Sequence, residues 1–221
     1  MSMYNVLAVT NRHLCKDDFL EQIEKICILN NKIKNHISIE ENSEKSSPHL
    51  NYNLSHINSI SIVLREKDLC EENYEILAFK VLQICKKFNT ECILHTYCNT
   101  AKKLGVKKIH VPLSVLKTNL HIIDEFDSIG VSIHSLEDAL EAEKLGASYI
   151  TAGHIFNTNC KKGLPGRGID FLHSITNSSN IPVFAIGGIS SSNIKQVIDT
   201  GAYGVCIMSG LMNIDDPEKF F

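Results

Sequence analysis

The sequence predicts an α/β fold, a single (β/α)8 TIM barrel over residues 1–221. Three observations predict it. Runs rich in Val and Ile recur at 4–10, 59–65, 92–95, 108–111, 129–133, 148–152, 182–186 and 203–207. Helical patterns separate these eight runs, the alternation that builds a closed parallel sheet. The late strands end in polar or glycine-rich tips: the fifth and sixth run into His134 and His154, and FAIGGISSSN and VCIMSGL follow. In a parallel barrel the loops after the strands carry the site, and the last two commonly hold a phosphate. A length of 221 residues is ordinary for one such barrel.

The N-terminal MSMYNVLAVTNRH is a short apolar run with neither a basic start nor a cleavage site, so it reads as the first strand and not as a signal peptide. Helical patterns follow at 17–29, 72–88, 98–104, 116–126, 135–145, 168–176 and 190–199. The pattern at 135–145 is the clearest. Ser135 supplies a cap, Glu137 and Asp138 occupy the first turn, Lys144 sits near the end and Gly146 terminates it. Residues 30–57 interrupt the alternation. They are rich in Asn, Ser, Lys and Glu and poor in aliphatics, and read as an inserted surface loop after the first helix; a short structure of their own is the competing reading. After Gly210 only LMNIDDPEKFF follows, too little for a full closing helix and a tail. A truncated final helix is expected, with the barrel closed by a stub, by the insertion or by a neighbouring subunit.

Bulk properties exclude several classes. A formal net charge of -3 gives no support for nucleic-acid or anionic-membrane binding. No apolar stretch approaches the roughly 20 residues that span a bilayer. The eight cysteines are scattered, form no C-x-x-C pair and mostly sit inside apolar runs, as reduced cysteines of a cytoplasmic protein do.

Side chains alternate along a strand, so Ser132 and His134 share one face of the fifth strand and Val131 and Ile133 the other. The aliphatic pair belongs under the helices, which turns Ser132 and His134 toward the barrel axis. Imidazole takes and returns a proton near neutral pH. Two roles fit His134, proton transfer or a hydrogen bond to the helix start, and the spacing does not decide between them. His154 lines the same pocket or orients the loop after it. That loop, 157–168, carries Lys161, Lys162 and Arg167 among Gly163, Gly166 and Gly168, an anion-contacting loop or a solvated basic one. Arg65 shares parity with Ser61 and Val63 and so points inward, where a charge needs an anionic ligand or a structural partner such as Glu66. Gly187 and Gly188 end the seventh strand, with Ser190 to Asn193 as cap chemistry, and Met208, Ser209 and Gly210 follow the eighth. Backbone N–H groups at such tips suit a phosphate.

No histidines stand at metal-ligand spacing, no carboxylate pair sits at neighbouring strand ends, and neither a nucleophile elbow nor a P-loop is present. The residues therefore point to a barrel enzyme without metal or cofactor, acting on a small phosphorylated molecule through histidine proton transfer.

At LREK (64–67), GVSIHSLEDALEAEKLGASYI (130–150), FNTNCKKG (156–163), PVFAIGGI (182–189) and GAYGVCIMSG (201–210) the chain resembles the thiamin phosphate synthase superfamily. Two activities divide that superfamily. The synthase joins a pyrimidine diphosphate to a thiazole phosphate with magnesium. The tautomerase aromatises a thiazole phosphate carboxylate by moving a proton, without metal. In the synthase pattern an Asn-Asp pair ends the third strand and a Gly-Gln-Asp-type stretch follows the fourth. Here His95-Thr96 and Pro112-Leu113-Ser114 stand instead, poor ligands for magnesium. SIHSLEDALEAEK and GHIFNTNCKKGLPGRG resemble the thiazole tautomerase (TenI-type) branch.

The resemblance implies that His134 is the acid–base residue. It implies that Gly187, Gly188, Ser209 and Gly210 hold the phosphate, and that Arg65, with Lys67 or Lys161, faces the carboxylate. Ser132 and His154 complete the expected substrate contacts. The expected partner is a small phosphorylated thiazole. Such barrels are often homodimers, and the 30–57 segment and the short C-terminus, both departures from the family, bear on that assembly. Lys67 keeps a synthase-like feature, so the synthase remains an alternative, resting on unusual metal ligation. A non-catalytic barrel that binds a thiamin intermediate and regulates partners is another, and a different phosphate-binding isomerase or lyase a third.

Overall fold

The computed structural model describes residues 2–40 and 54–221. Its strands are β1 (Tyr4–Val9), β2 (Ile57–Leu64), β3 (Cys92–His95), β4 (Lys108–Pro112), β5 (Ser128–Ile133), β6 (Tyr149–Gly153), β7 (Val183–Ile186) and β8 (Gly204–Ile207). They pair in parallel in chain order, and β8 returns to β1 to close the barrel. Helices connect them, so the fold is the (β/α)8 TIM barrel.

Period-two alternation sorts the core into two layers. Val6, Ala8, Ile60, Ile62, Val131 and Ile133 face outward and pack under the helices. Leu7, Val9, Val63, Ile93, Phe184 and Cys206 face inward and fill the barrel.

The helices are α1 (Phe19–Glu40), α2 (Glu71–Lys87), α3 (Cys98–Lys103), α4 (Leu113–Thr118), α5 (Ile122–Glu125), α6 (Leu136–Lys144), α7 (Gly168–Ser178), α8 (Ile194–Ile198) and α9 (Ser209–Met212). Ser135 caps α6 as expected, its Oγ accepting from the Asp138 N–H at 3.0 Å. Three expectations need correction. The first helix does not stop at residue 29, and residues 30–40 are helical, not loop. Ile23, Ile26, Asn30, Ile33 and Ile37 continue one stripe of α1, with Asn30 in an apolar place. The rest of the expected loop is Leu54–His56, a short 3-10 turn, Ile57, which opens β2, and residues 41–53, which lie outside the described residues. The pattern at 116–126 is two short helices, broken at Asn119, which leaves helical geometry and donates through Nδ2 to the Val115 carbonyl at 2.9 Å. The pattern at 190–199 is helical only over α8.

A C-terminal stub, one of the three closures expected, is present. α9 and a 3-10 turn at Pro217–Phe220 lie against α1, where Gln22 Nε2 donates to the Leu211 and Ile214 carbonyls at 2.6 and 3.0 Å. Leu211, Met212 and Phe221 are buried.

Asn30 is the pin between α1 and the barrel. It is fully buried, donates to Thr90 Oγ1 at 3.0 Å and accepts the backbone N–H of Ile60 at 2.8 Å. Asn30→Ala is expected to leave that N–H unpaired in the core and lower the unfolding free energy by about 2 kcal/mol, read as a lower urea midpoint at unchanged slope.

Candidate active site

The strand ends enclose a cavity of about 570 Å³ at the barrel mouth. Arg65, Lys67, Ser132, His134, His154, Lys161, Gly187, Gly188, Ser209 and Gly210 all line it. Lys162 and Arg167 do not; Arg167 instead donates through Nε to the Gly153 carbonyl at 3.2 Å and lies over the Phe171 ring.

His134 follows β5 and stays solvent-accessible at the rim. Its backbone N–H donates to Asp138 Oδ2 at 2.9 Å. Its Nδ1 lies 2.9 Å from the Gly153 carbonyl oxygen. A carbonyl only accepts, so Nδ1 carries the hydrogen and neutral His134 presents Nε2 as a base. His154 ties the following loop: its Nε2 donates to the Leu164 carbonyl at 3.2 Å while its own carbonyl accepts from Arg167 N.

Three cations line the same cavity, Arg65 and Lys67 after β2 and Lys161 in the loop after β6. Burial holds Arg65 below its ordinary value, partly offset by the Glu66 carboxylate. Burial, then the charges of Arg65 and Lys161, holds Lys67 below the usual lysine range. Glu66 is not their partner in an ion pair. Its oxygens are taken by Thr10 Oγ1 at 2.6 Å and by the backbone N–H and Nη1 of Arg12, each at 3.1 Å. Among the described residues no carboxylate pairs with Arg65, Lys67 or Lys161. Partly desolvated, unpaired cations suit an anionic ligand.

The small tips after β7 and β8 line the same mouth. Gly187 and Gly188 have φ of +101° and +67°, which favours glycine, and a Cβ on Gly187 would fall 2.3 Å from His154 Cβ. Asn193 braces this turn, accepting from Ser190 N and donating to the Gly188 carbonyl, both at 2.9 Å. Gly210 is small for another reason: a Cβ there would sit 2.1 Å from the Phe220 ring.

Part of the cavity floor is polar, beside the apolar Leu7, Val9 and Val63. His95, read from the sequence only as a mark of a missing carboxylate, and His110, not singled out there, are buried and stacked with centroids 5.4 Å apart. Tyr149 and Thr151 join them from β6. The signal for these residues was strand parity, since His110 alternates with the outward Ile109 and Val111. Burial lowers His95 to about 2, helped by the charges of His110, Arg65 and Lys67. Burial, with Arg65 and Lys67, lowers His110 to about 3.

The residues present do not fit the magnesium that the resemblance assigns to the synthase branch. Among the described residues no group of three or more His, Cys, Asp or Glu could hold a metal. Among the described residues the one carboxylate lining the cavity, Asp138, accepts the His134 N–H through Oδ2, and Glu66 is held by Thr10 and Arg12.

Two histidines that are neutral when folded and basic when unfolded make stability fall with acid. Their folded values lie below the unfolded value of about 6.5, so the unfolded chain binds protons first. Their contribution is complete above about pH 6.5 and is lost as pH falls toward the folded values, each pH unit costing up to about 1.4 kcal/mol per histidine. A urea midpoint followed from about pH 7.5 to about pH 4.5 is expected to fall, and to fall less steeply in His95→Asn.

A family profile described as thiamine monophosphate synthase (TMP-TENI) matches residues 38–211. The thiamine-phosphate synthase of Clostridium tetani is 33% identical over 160 residues, 72% of this chain and 77% of that protein. That of Clostridium acetobutylicum is 33% identical over 155 residues, 69% and 73% of the two chains. A solved structure, thiamine phosphate pyrophosphorylase from Pyrococcus furiosus, superposes with a TM-score of 0.72 over 99% of this chain and 91% of its own, at 23% identity, a likeness of fold. No helix of the described residues is long and apolar enough to cross a membrane. With a profile spanning most of the barrel and relatives of this identity and coverage, the chain belongs to the thiamine monophosphate synthase (TMP-TENI) family.

Proposed function

We propose that this chain is a metal-independent isomerase of thiamin biosynthesis, a thiazole tautomerase. It aromatises 2-carboxy-4-methylthiazol-5(2H)-ylidene ethyl phosphate to the thiazole phosphate carboxylate. What carries the reading is the donor set at the barrel mouth: an imidazole of defined tautomer and, among the described residues, no group of three or more His, Cys, Asp or Glu that could hold a metal.

In this reading the phosphate lies on the tips at Gly187, Gly188, Ser209 and Gly210. The ring carboxylate faces Arg65, with Lys67 and Lys161 beside it. His134 Nε2 takes the proton from C2, the electron pair moves through the ring, and the exocyclic carbon receives the proton back from the imidazolium. The Gly153 carbonyl on Nδ1 stabilises that imidazolium while it exists. Atoms balance without a co-reactant, as an isomerisation requires.

A second reading is favoured by the names of the relatives. The curated proteins at 33% identity are thiamine-phosphate synthases, which favours a transferase that joins hydroxymethylpyrimidine diphosphate to thiazole phosphate. Against it stand His95-Thr96 and Pro112-Leu113-Ser114 at the strand ends where that chemistry places magnesium ligands.

Pure protein mixed with the non-aromatic thiazole phosphate carboxylate is expected to raise thiazole absorbance equally with and without chelator. Magnesium-dependent thiamin phosphate from the two phosphorylated halves, with no aromatisation, would establish the synthase instead. His134→Ala is expected to keep ligand binding and lose about 10²–10⁴ in turnover, the usual worth of general acid–base help. Undiminished turnover in that variant would remove His134 from the chemistry.

A further inference from the structure

A row of inward-facing residues crosses the barrel just beneath the cavity. The register sets His95 beside His110, His110 beside Gly130 and Gly130 beside Tyr149. Two positions nearer the mouth, Ser132 stands beside Thr151. A Cβ on Gly130 would fall 2.1 Å from Tyr149 Cζ and 2.4 Å from His110 Nδ1, so those two rings occupy its side-chain space. There the Tyr149 hydroxyl and His110 Nδ1 lie 3.1 Å apart. On the other side of the ring, His110 Nε2 lies 2.8 Å from Ser132 Oγ, and Thr151 Oγ1 donates to the same Ser132 oxygen at 3.3 Å.

Counting hydrogens decides the direction of each bond. A neutral imidazole has one N–H and one acceptor nitrogen. If Nδ1 of His110 carried the hydrogen, the Tyr149 hydroxyl would have to find another acceptor. Tyr149 is buried, and His110 is the hydrogen-bond partner of its hydroxyl among the described residues. Leaving a buried donor unpaired is unfavourable. Tyr149 therefore donates to Nδ1, and Nε2–H donates to Ser132 Oγ. Ser132 then accepts from both His110 and Thr151. Its two lone pairs are taken, and its own hydrogen is left for the cavity that it lines.

We infer that Tyr149, His110 and Thr151 are positioning residues that commit the Ser132 hydroxyl to donate into the cavity, so that Ser132 selects a ligand with a carboxylate on its ring. A carboxylate offers only acceptors and completes the chain. A ring without one leaves the Ser132 hydrogen unpaired, the kind of mismatch on which sites discriminate most strongly. The choice of a ring carboxylate rests on the proposed isomerase reading; the polarity of Ser132 rests on the hydrogen bonds alone.

Two measurements test it, and neither needs turnover. Nitrogen-15 histidine spectra, with His110 assigned by its loss in His110→Gln, are expected to show the Nε2–H tautomer; an Nδ1–H tautomer would overturn the inference. Titration calorimetry then compares the aromatic thiazole phosphate carboxylate with the thiazole phosphate that lacks the carboxylate. The native chain is expected to prefer the carboxylate by about tenfold or more, as one hydrogen bond to a charged group allows. Ser132→Ala and Tyr149→Phe are expected to lose about tenfold of that preference, the part not supplied by the cations, with a smaller change for the other ligand, and Ser132→Thr to restore it. No preference in the native chain, or full preference in Tyr149→Phe, would sink it. Discrimination without aromatisation would defeat the isomerase reading and leave Ser132 in its role; aromatisation without discrimination would do the reverse.

Discussion

The hydrogen bond between Tyr149 and His110, made in the space that Gly130 leaves open, is the contact on which the barrel interior depends. Barrels of this fold usually fill their centre with branched aliphatic side chains. Here Leu7, Val63, Ile93 and Phe184 follow that rule, while His95, His110, Ser132 and Thr151 make a polar stretch of the interior. Buried polar groups persist only when they satisfy one another. Tyr149, His110, Ser132 and Thr151 do so as one connected set. A glycine inside a strand sacrifices packing and order. At Gly130 that loss is offset by the room it gives two rings that could not otherwise meet.

Charge at the mouth follows from which partner each group finds. Glu66 and Arg65 are adjacent in sequence, yet successive side chains of an extended chain point apart. Glu66 turns toward β1, where Thr10 and Arg12 satisfy it. Arg65 turns into the cavity beside Lys67, with no carboxylate paired to it among the described residues. The same fields of Arg65 and Lys67 add to burial in keeping His95 and His110 uncharged. The site thus combines three cations unpaired among the described residues, neutral histidines and small backbone tips around one opening. That combination suits a ligand with two anionic groups on an uncharged ring.

The order of strands was legible in the chain because each apolar run is short, rich in Val and Ile, and bounded by turn residues; all eight lie within two positions of where the pattern set them. The α6 cap was legible because Ser135 and Asp138 interact within four residues. The extension of α1 was not. Asn30 breaks the apolar stripe of that helix, and its reason for being there is a hydrogen bond to Ile60 on β2, distant in sequence. The break at Asn119 was hidden similarly, since asparagine competes for backbone partners only when its local geometry permits.

For the site, ten of the candidates from the sequence come together at one mouth, most of them placed by strand parity and strand order, while Lys162 and Arg167 of the loop after β6 do not reach it. Local pattern alone thus determined the barrel, the face of each strand and the collection of His134, Arg65 and the glycine tips around one opening. Only the closed sheet decided that Glu66 belongs to Arg12, that the Gly153 carbonyl orients His134, and that Gly130 makes room for Tyr149 against His110. Those pairings join residues in or just after different strands, and their distances exist only after the register between strands is set.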